Sequence, residues 1–209
     1  MKFYDCETAP SPRRARIFMA EKGLDIPIQQ VALRHDEQLT PAFQAINPWC
    51  TVPVLELDDG TRISEAIAVC SYLEAAYPEP PLMGVDAADK GIVMMWEHRF
   101  EQDGFFAAAE ALRNRTPGLK GRAITGPANY PQIPELAERG SARLEHFFRR
   151  LDEALEGREF VAGPRYTIAD ITALVSVDFA GWLKLTIPDD CAHARRWYEA
   201  VSARPSAKA

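Results

Sequence analysis

The pattern of hydrophobic and polar positions predicts four short strands near the start of the chain. Residues 2–6 and 28–33 form short apolar-rich runs bounded by turn-forming residues, which is typical of strands. Residues 54–57 and 62–63 flank an Asp-Asp-Gly sequence, and this arrangement predicts a hairpin. All four strands are shorter than the helical patterns that lie between them, so we expect a small sheet.

Three helices are predicted around these strands. Ser11 and Thr40 each precede a proline, which indicates an N-cap followed by proline at the first helical position. The first helix should end at Gly23, where a left-handed C-terminal cap is expected. Ser64 is the expected cap of a third helix with one apolar face. The predicted order is βαβ, a short helix, then ββα.

A cluster of prolines at 78, 80 and 81 interrupts the periodicity and predicts a linker. We therefore place one domain at 1–78, the linker at 79–86 and a second domain at 87–209. All later patterns are helical, at 86–113, 134–155, 168–180 and 192–202. The sequence predicts a small α/β domain followed by an all-helical domain.

Composition places the chain among ordinary globular proteins. Its 209 residues are 47% hydrophobic and 26% charged, which is enough apolar material for a core. The formal net charge of −6 argues against a nucleic acid or an anionic membrane as the main partner. No apolar stretch approaches the roughly 20 residues of a membrane-spanning helix, and the N-terminal residues have no apolar signal core. We expect a cytoplasmic protein.

The four cysteines do not form a metal or redox motif. Cys6, Cys50, Cys70 and Cys191 include no C-x-x-C pair, and none has the neighbouring histidine that would complete a zinc site. In the reducing cytosol a disulfide framework is not expected. If the protein performs sulfur chemistry, we expect the sulfur to arrive with a ligand, and we expect no metal.

The segment Asn47-Pro-Trp-Cys-Thr-Val-Pro-Val-Leu55, followed by Ser64-Glu-Ala66, resembles the glutathione-binding segment of the glutathione transferases. In that family a cis Val-Pro bond leaves the valine backbone free to pair with glutathione, which assigns this role to Val52 and Pro53. An acidic residue and the next amide, at a helix start, hold the γ-glutamyl end. The resemblance assigns that role to Glu65 and Ala66.

Two further stretches strengthen the resemblance. Thr167 and Asp170 match the family's buried capping box, in which the two residues satisfy free donors at a helix start. Residues 11–23 resemble its first helix. Together these matches imply a thioredoxin-like N-terminal domain and an all-α C-terminal domain. They also imply a homodimeric transferase that adds the thiolate of its co-substrate glutathione to a small hydrophobic electrophile, with a role in detoxification.

The chain departs from the family pattern at two positions. Ala66 stands where serine is usual, which removes a hydroxyl but keeps the backbone N–H, so glutathione binding should weaken and persist. Cys50 stands where glycine is usual. It is either a small buried residue or a thiol near the ligand, and the sequence leaves both interpretations open.

The catalytic position of the family follows the first strand and carries Tyr, Ser or Cys. Here Ala9 occupies the position of the serine-type hydroxyl, and Thr8 and Ser11 flank it. The resemblance implies that a hydroxyl at this helix start stabilises the glutathione thiolate, so Ser11 and Thr8 are the candidate catalytic residues. A role of Ser11 as N-cap is compatible with this one, because its oxygen can accept one hydrogen bond while its proton is donated.

The electrophile pocket is expected from the helical domain. Aromatic residues of that domain either line such a pocket or belong to the core: Trp96, Phe105, Phe106, Tyr130 and Trp182. Two other functions remain open. Thr8 is compatible with a glutathione-dependent disulfide reductase, and Ala9 and Ala66 are compatible with a non-catalytic binding module of the same fold.

Overall fold

A computed structural model describes all 209 residues and divides the chain into two compact units. The first unit comprises Met1–Pro80 together with Thr125–Asn129 and Ala209. The second comprises Pro81–Ile124 and Tyr130–Lys208.

The first unit is built on a four-stranded mixed sheet. Its strands are β1 (Lys2–Asp5), β2 (Ile28–Gln30), β3 (Val54–Glu56) and β4 (Arg62–Ser64), in the order β2-β1-β3-β4. β1 and β2 are parallel, whereas β3 is antiparallel to both of its neighbours. The predicted strand at 28–33 is shorter than expected, because the chain turns into a short 3-10 helix at Leu33–His35.

Three α-helices complete this unit: α1 (Pro10–Glu21), α2 (Pro41–Gln44) and α3 (Ala66–Ala76). Thr40 caps α2 as predicted, since its side chain accepts the Phe43 N–H at 3.3 Å. The other two predicted caps are wrong. α1 begins at Pro10 and not at Pro12, so its N-cap is Ala9. The N-cap of α3 is Glu65, because Ser64 pairs with Val54 in the sheet.

Five α-helices form the second unit: α4 (Ala87–Phe100), α5 (Phe106–Arg115), α6 (Pro134–Ala154), α7 (Ile168–Gly181) and α8 (Ala192–Ser202). The single helix predicted over 86–113 is interrupted by one π-helical turn at Glu101–Phe105. Gly104 lies in this turn, where an added Cβ would be 2.9 Å from both Phe147 and Ser176. The close packing of the turn therefore requires glycine.

Helix α7 is the buried centre of the second unit and starts at the predicted capping box. Asp170 is fully buried, and its Oδ2 accepts the Thr167 N–H at 3.0 Å and the Thr167 hydroxyl at 3.2 Å. The Asp170 N–H lies 3.0 Å from the Thr167 carbonyl oxygen. Its Oδ1 also accepts the Val161 N–H and the indole N–H of Trp197, both at 2.9 Å. Asp170 thus joins the α7 start to the preceding loop and to α8.

No helix of the structure is both long and apolar enough to cross a membrane.

Candidate functional site

The strand register brings the predicted site residues to one edge of the sheet. Because β3 is antiparallel to β1 and β4, the C-terminal ends of β1 and β4 meet the N-terminal end of β3, and the ladder pairs Tyr4 with Val54 and Val54 with Ser64. The chain continues from this edge into α1 after β1 and into α3 after β4. The segment before β3 is at the same edge. Three segments far apart in sequence therefore lie side by side.

Val52 and Pro53 form the segment before β3. Their peptide bond is cis, and Val52 is buried among the apolar residues of the unit. Since the ladder stops at Val54, the backbone N–H and C=O of Val52 lie outside the pairing of the sheet. Such groups can pair with the backbone of an extended peptide ligand.

Glu65 and Ala66 begin helix α3 beside this segment. Glu65 has a positive φ of 74°, which is uncommon for a residue with a side chain, and its side chain is exposed. The first bond of the helix runs from the Val69 N–H to the Glu65 carbonyl, so the N–H groups before Val69 have no partner within the helix. Free amides and the positive end of the helix dipole favour a carboxylate here.

The start of α1 provides a different set of donors. Residues 10 and 12 are prolines, so Ser11 has the only backbone N–H among the first three helical residues. Ser11 is half-buried, and its Oγ lies 3.4 Å from Nη2 of the buried Arg14. When Arg14 donates to this oxygen, the hydroxyl proton of Ser11 remains available to a ligand. Ser11 is thus the second residue of the helix and not its cap.

Thr8 lies in the exposed turn between β1 and α1. Its Oγ1 is 3.6 Å from the sulfur of the buried Cys6, and either atom can donate. The Ala9 N–H donates to the Cys6 carbonyl at 2.8 Å, which closes the turn. Thr8 and Ser11 are therefore on either side of the Ala9 N-cap.

The remaining cysteines are all free thiols in buried positions. Cys50 has a positive φ of 56°, and its sulfur lies 3.6 Å from the Pro48 carbonyl oxygen. It is 3% exposed, so ligand atoms could reach its sulfur only if the loop moved. Cys70 is fully buried on α3.

Three polar residues that no sequence motif singles out hold the turn after β1. Asp5 is 1% exposed and forms a 2.6 Å ion pair with Arg16, which is also buried. Gln30, at the end of β2, donates to the other carboxylate oxygen of Asp5 at 2.8 Å. The sequence signal was an arginine on the apolar face of α1, between Ala15 and Ile17, but its partners depend on the register of β1 and β2.

The aromatic residues considered for an electrophile pocket do not form one cluster. Trp96 lines a cavity of about 530 Å³ together with Phe100, Phe147 and several arginines. Phe105 is buried, whereas Phe106 and Trp182 are 44% and 55% exposed. A chain of ring contacts connects these residues: Phe106 to Phe105 at 5.7 Å, Phe105 to Phe179 at 5.6 Å and Phe179 to Trp182 at 5.1 Å. Tyr130 is outside both groups, in an isolated bridge with Arg122.

Two family models match the chain. The glutathione S-transferase N-terminal domain matches residues 8–76, and the glutathione S-transferase C-terminal domain matches residues 120–205. Glutathione S-transferase 2 of Saccharomyces cerevisiae is 36% identical over the whole chain, which covers 88% of that protein.

Solved structures agree with these matches. The chain resembles a glutathione S-transferase domain-containing protein of Marinobacter aquaeolei with a TM-score of 0.91 at 36% identity, covering 99% of each chain. It resembles Gtt2 of Saccharomyces cerevisiae with a TM-score of 0.91 at 35% identity, covering 100% of this chain and 99% of that one. These likenesses confirm the predicted fold and favour the transferase over a reductase or a binding module. The chain belongs to the glutathione S-transferase family, whose co-substrate is glutathione.

Proposed function

We propose that Ser11, assisted by Thr8, stabilises the thiolate of bound glutathione while that sulfur attacks a small hydrophobic electrophile. The observation that carries the proposal is the composition of the α1 start, where Ser11 has both a hydroxyl and the only amide N–H of the first three residues. Both groups are donors, and the helix end adds a positive field. In the reaction the thiol proton passes to water, and the sulfur lone pair forms a bond to the electrophilic carbon. That carbon either releases a leaving group with its bonding electron pair or, in an addition, gives up a π bond whose electron pair takes a proton from water.

Val52, Pro53, Glu65 and Ala66 are the proposed glutathione-binding residues. The unpaired backbone of Val52 is available to the peptide backbone of glutathione, and the amides at the α3 start suit its γ-glutamyl carboxylate. Because these groups lie at one edge of the sheet, a ligand bound to them also lies at the edge where β1 ends. Thr8 and Ser11 follow β1 in the chain where it leaves the sheet at that edge.

The decrease in thiol pKa that the proposal assigns to Ser11 is modest. A free thiol has a pKa near 8.5, so about 3% is ionised at pH 7, and lowering the pKa by one unit gives about 24%. One unit corresponds to about 1.4 kcal/mol, which is within the range of a single charge-assisted hydrogen bond.

An ultraviolet titration of the enzyme–glutathione complex tests this assignment. Ser11→Ala should move the thiolate absorbance transition to higher pH by about one unit, and Thr8→Val should move it less. The reverse order would exchange the roles of the two residues. If Cys50→Ser alone abolished turnover, the chemistry would be thiol exchange instead. If calorimetry gave no heat at millimolar glutathione, the transferase proposal as a whole would fail.

For the electrophile we propose the exposed end of the aromatic cluster in the helical unit, residues Phe106 and Trp182. Sites for apolar small molecules are lined mainly by hydrophobic and aromatic side chains, and these two rings are the exposed members of the cluster. Phe106→Ala and Trp182→Ala should each raise the KM for an aromatic electrophile and leave the KM for glutathione unchanged.

We also propose that the protein is a cytoplasmic homodimer with a role in detoxification. Four free buried thiols suit a reducing compartment, and two-fold dimers are the commonest assemblies of soluble proteins.

A further inference from the structure

Three side chains, Asp5, Arg16 and Gln30, form a connected network that we call the loop clamp. Asp5 is its centre: one carboxylate oxygen pairs with Nη1 of Arg16 at 2.6 Å, and the other accepts from the Gln30 side chain at 2.8 Å. Asp5 and Arg16 are 1% and 8% exposed. The pair of charges is therefore held away from water.

Arg16 and Gln30 also form hydrogen bonds to the backbone that follows β1. Nη2 of Arg16 donates to the Glu7 carbonyl at 2.9 Å, and Nη1 lies 3.5 Å from the Cys6 carbonyl. Oε1 of Gln30 accepts the Glu7 N–H at 2.9 Å. Both polar groups of the Glu7 backbone are thus bound by side chains from two different elements, α1 and β2.

This arrangement fixes the position of Thr8. Only Thr8 and Ala9 separate the bound residue Glu7 from Pro10, the first residue of α1. A segment of two residues between two fixed ends has little freedom, and the Ala9 N–H bond to Cys6 restricts it further. The position of Thr8 ahead of the α1 start consequently depends on the loop clamp, and the Thr8 hydroxyl lies 3.6 Å from the Cys6 sulfur.

The chemistry of the network favours a positional role over a purely stabilising one. A buried ion pair is often no more stabilising than apolar side chains of the same size, because both charges lose their hydration. Apolar residues could hold α1 against β1, but they could not bind the N–H and C=O of Glu7. In addition, the charges of Asp5 and Arg16 offset each other, so the pair adds little net field at the site.

We propose that the loop clamp positions Thr8, and with it the start of α1, for stabilisation of the glutathione thiolate. Asp5, Arg16 and Gln30 are positioning residues that do not touch the ligand. The inference rests on the proposed function, since it concerns the same thiolate.

The test compares Gln30→Ala with Gln29→Ala. Both glutamines are exposed on the short edge strand β2, but the Gln29 side chain donates only to the Gln30 carbonyl, at 3.3 Å. Gln30→Ala should raise the thiolate pKa in the glutathione complex by about half a unit, and by no more than Thr8→Val does. It should lower kcat about two- to threefold and leave the KM for glutathione within about twofold. Gln29→Ala should match the wild type.

One further variant separates the geometry of the loop clamp from its charge, and a double variant tests whether it acts through Thr8. Arg16→Lys keeps the positive charge but replaces the two nitrogens that separately reach the Asp5 carboxylate and the Glu7 carbonyl by one ammonium on a shorter side chain, so we expect the same shift in thiolate pKa. In the double variant Gln30→Ala with Thr8→Val, the two shifts should be less than additive, because both act through one hydroxyl.

Each result decides between the proposals. If the wild-type complex has the thiolate pKa of free glutathione, the proposed function fails before the loop clamp is tested. If the wild-type pKa is lowered but Gln30→Ala leaves both the pKa and kcat unchanged, the loop clamp has no positioning role. If Gln29→Ala produces the same changes as Gln30→Ala, loosening of β2 explains them and the inference is wrong.

Discussion

Replacing Asp170 with alanine removes the acceptor of four hydrogen bonds from the interior of the helical unit. Three of the four donors are N–H groups that cannot reach water: the Val161 and Thr167 amides and the Trp197 indole. Each buried donor without a partner costs about 1 to 3 kcal/mol, so their sum is about 6 kcal/mol at the middle of that range. The substitution also has a compensating gain.

The gain is that alanine removes the free-energy cost of ionising Asp170 in the folded protein. Burial raises the pKa of the Asp170 carboxyl from 3.8 to about 6, although the bonds from Val161, Trp197 and Thr167 act in the opposite direction. A folded-state pKa about two units above the unfolded value means that ionisation at pH 7 costs about 3 kcal/mol of stability. Alanine avoids this cost. The expected net loss at pH 7 is therefore about 3 kcal/mol.

The sign of the pH dependence follows from the same shift. Since the folded pKa is raised, stability from Asp170 is fully present below about pH 4 and is lost as the pH rises through about 6. The difference in unfolding free energy between wild type and Asp170→Ala should thus be larger at pH 4.5 than at pH 7.

Urea unfolding followed by far-ultraviolet circular dichroism at these two pH values measures this difference. Asp178→Ala, on the same helix, is the control. Asp178 accepts from the neutral Tyr198 hydroxyl, and its removal should cost less. An unchanged midpoint for Asp170→Ala, or a difference that grows with pH, would refute the reasoning.

Three other predictions follow from the remaining contacts. Ala66→Ser should tighten glutathione binding by about 0.5 to 1.5 kcal/mol in calorimetry, because it adds one hydroxyl at the α3 start; weaker binding would contradict this placement. Lys22→Met should lower the unfolding free energy by about 3 to 5 kcal/mol, since Nζ is buried and binds Glu74, the Tyr77 carbonyl and the Pro80 carbonyl within 2.8 Å. Light scattering should give twice the chain mass of 23.3 kDa, and a mass of 23.3 kDa at all concentrations would exclude the dimer.

The sequence alone was sufficient for two helix starts at which the determining interaction is local, those of α7 and α2. The capping box spans four residues, Thr167 to Asp170, so its spacing could be recognised without a tertiary structure, and the Thr40 cap of α2 is equally local. The order of strands and helices followed from periodicity for the same reason. The resemblance also assigned the proposed glutathione-binding residues Val52, Pro53, Glu65 and Ala66, because each belongs to a short contiguous motif.

Elsewhere the tertiary structure decided the outcome. The sequence predicted Ser11 as the cap of α1 and Pro12 as its first residue, whereas the turn that the Ala9 N–H closes with the Cys6 carbonyl starts the helix at Pro10. The π-helical turn in the predicted helix 86–113 accompanies close packing of Gly104 against Phe147 and Ser176, which are distant in sequence.

The loop clamp shows the same limit most clearly. Arg16 and Gln30 lie 11 and 25 residues after Asp5 along the chain, and no local pattern relates the three residues. Asp5 and Gln30 become neighbours only because β1 and β2 pair in parallel with those two residues in register. The sequence determines which polar groups are present, whereas strand register and helix packing determine which of them meet, because buried polar groups are stable only where the folded chain brings their partners within hydrogen-bond distance.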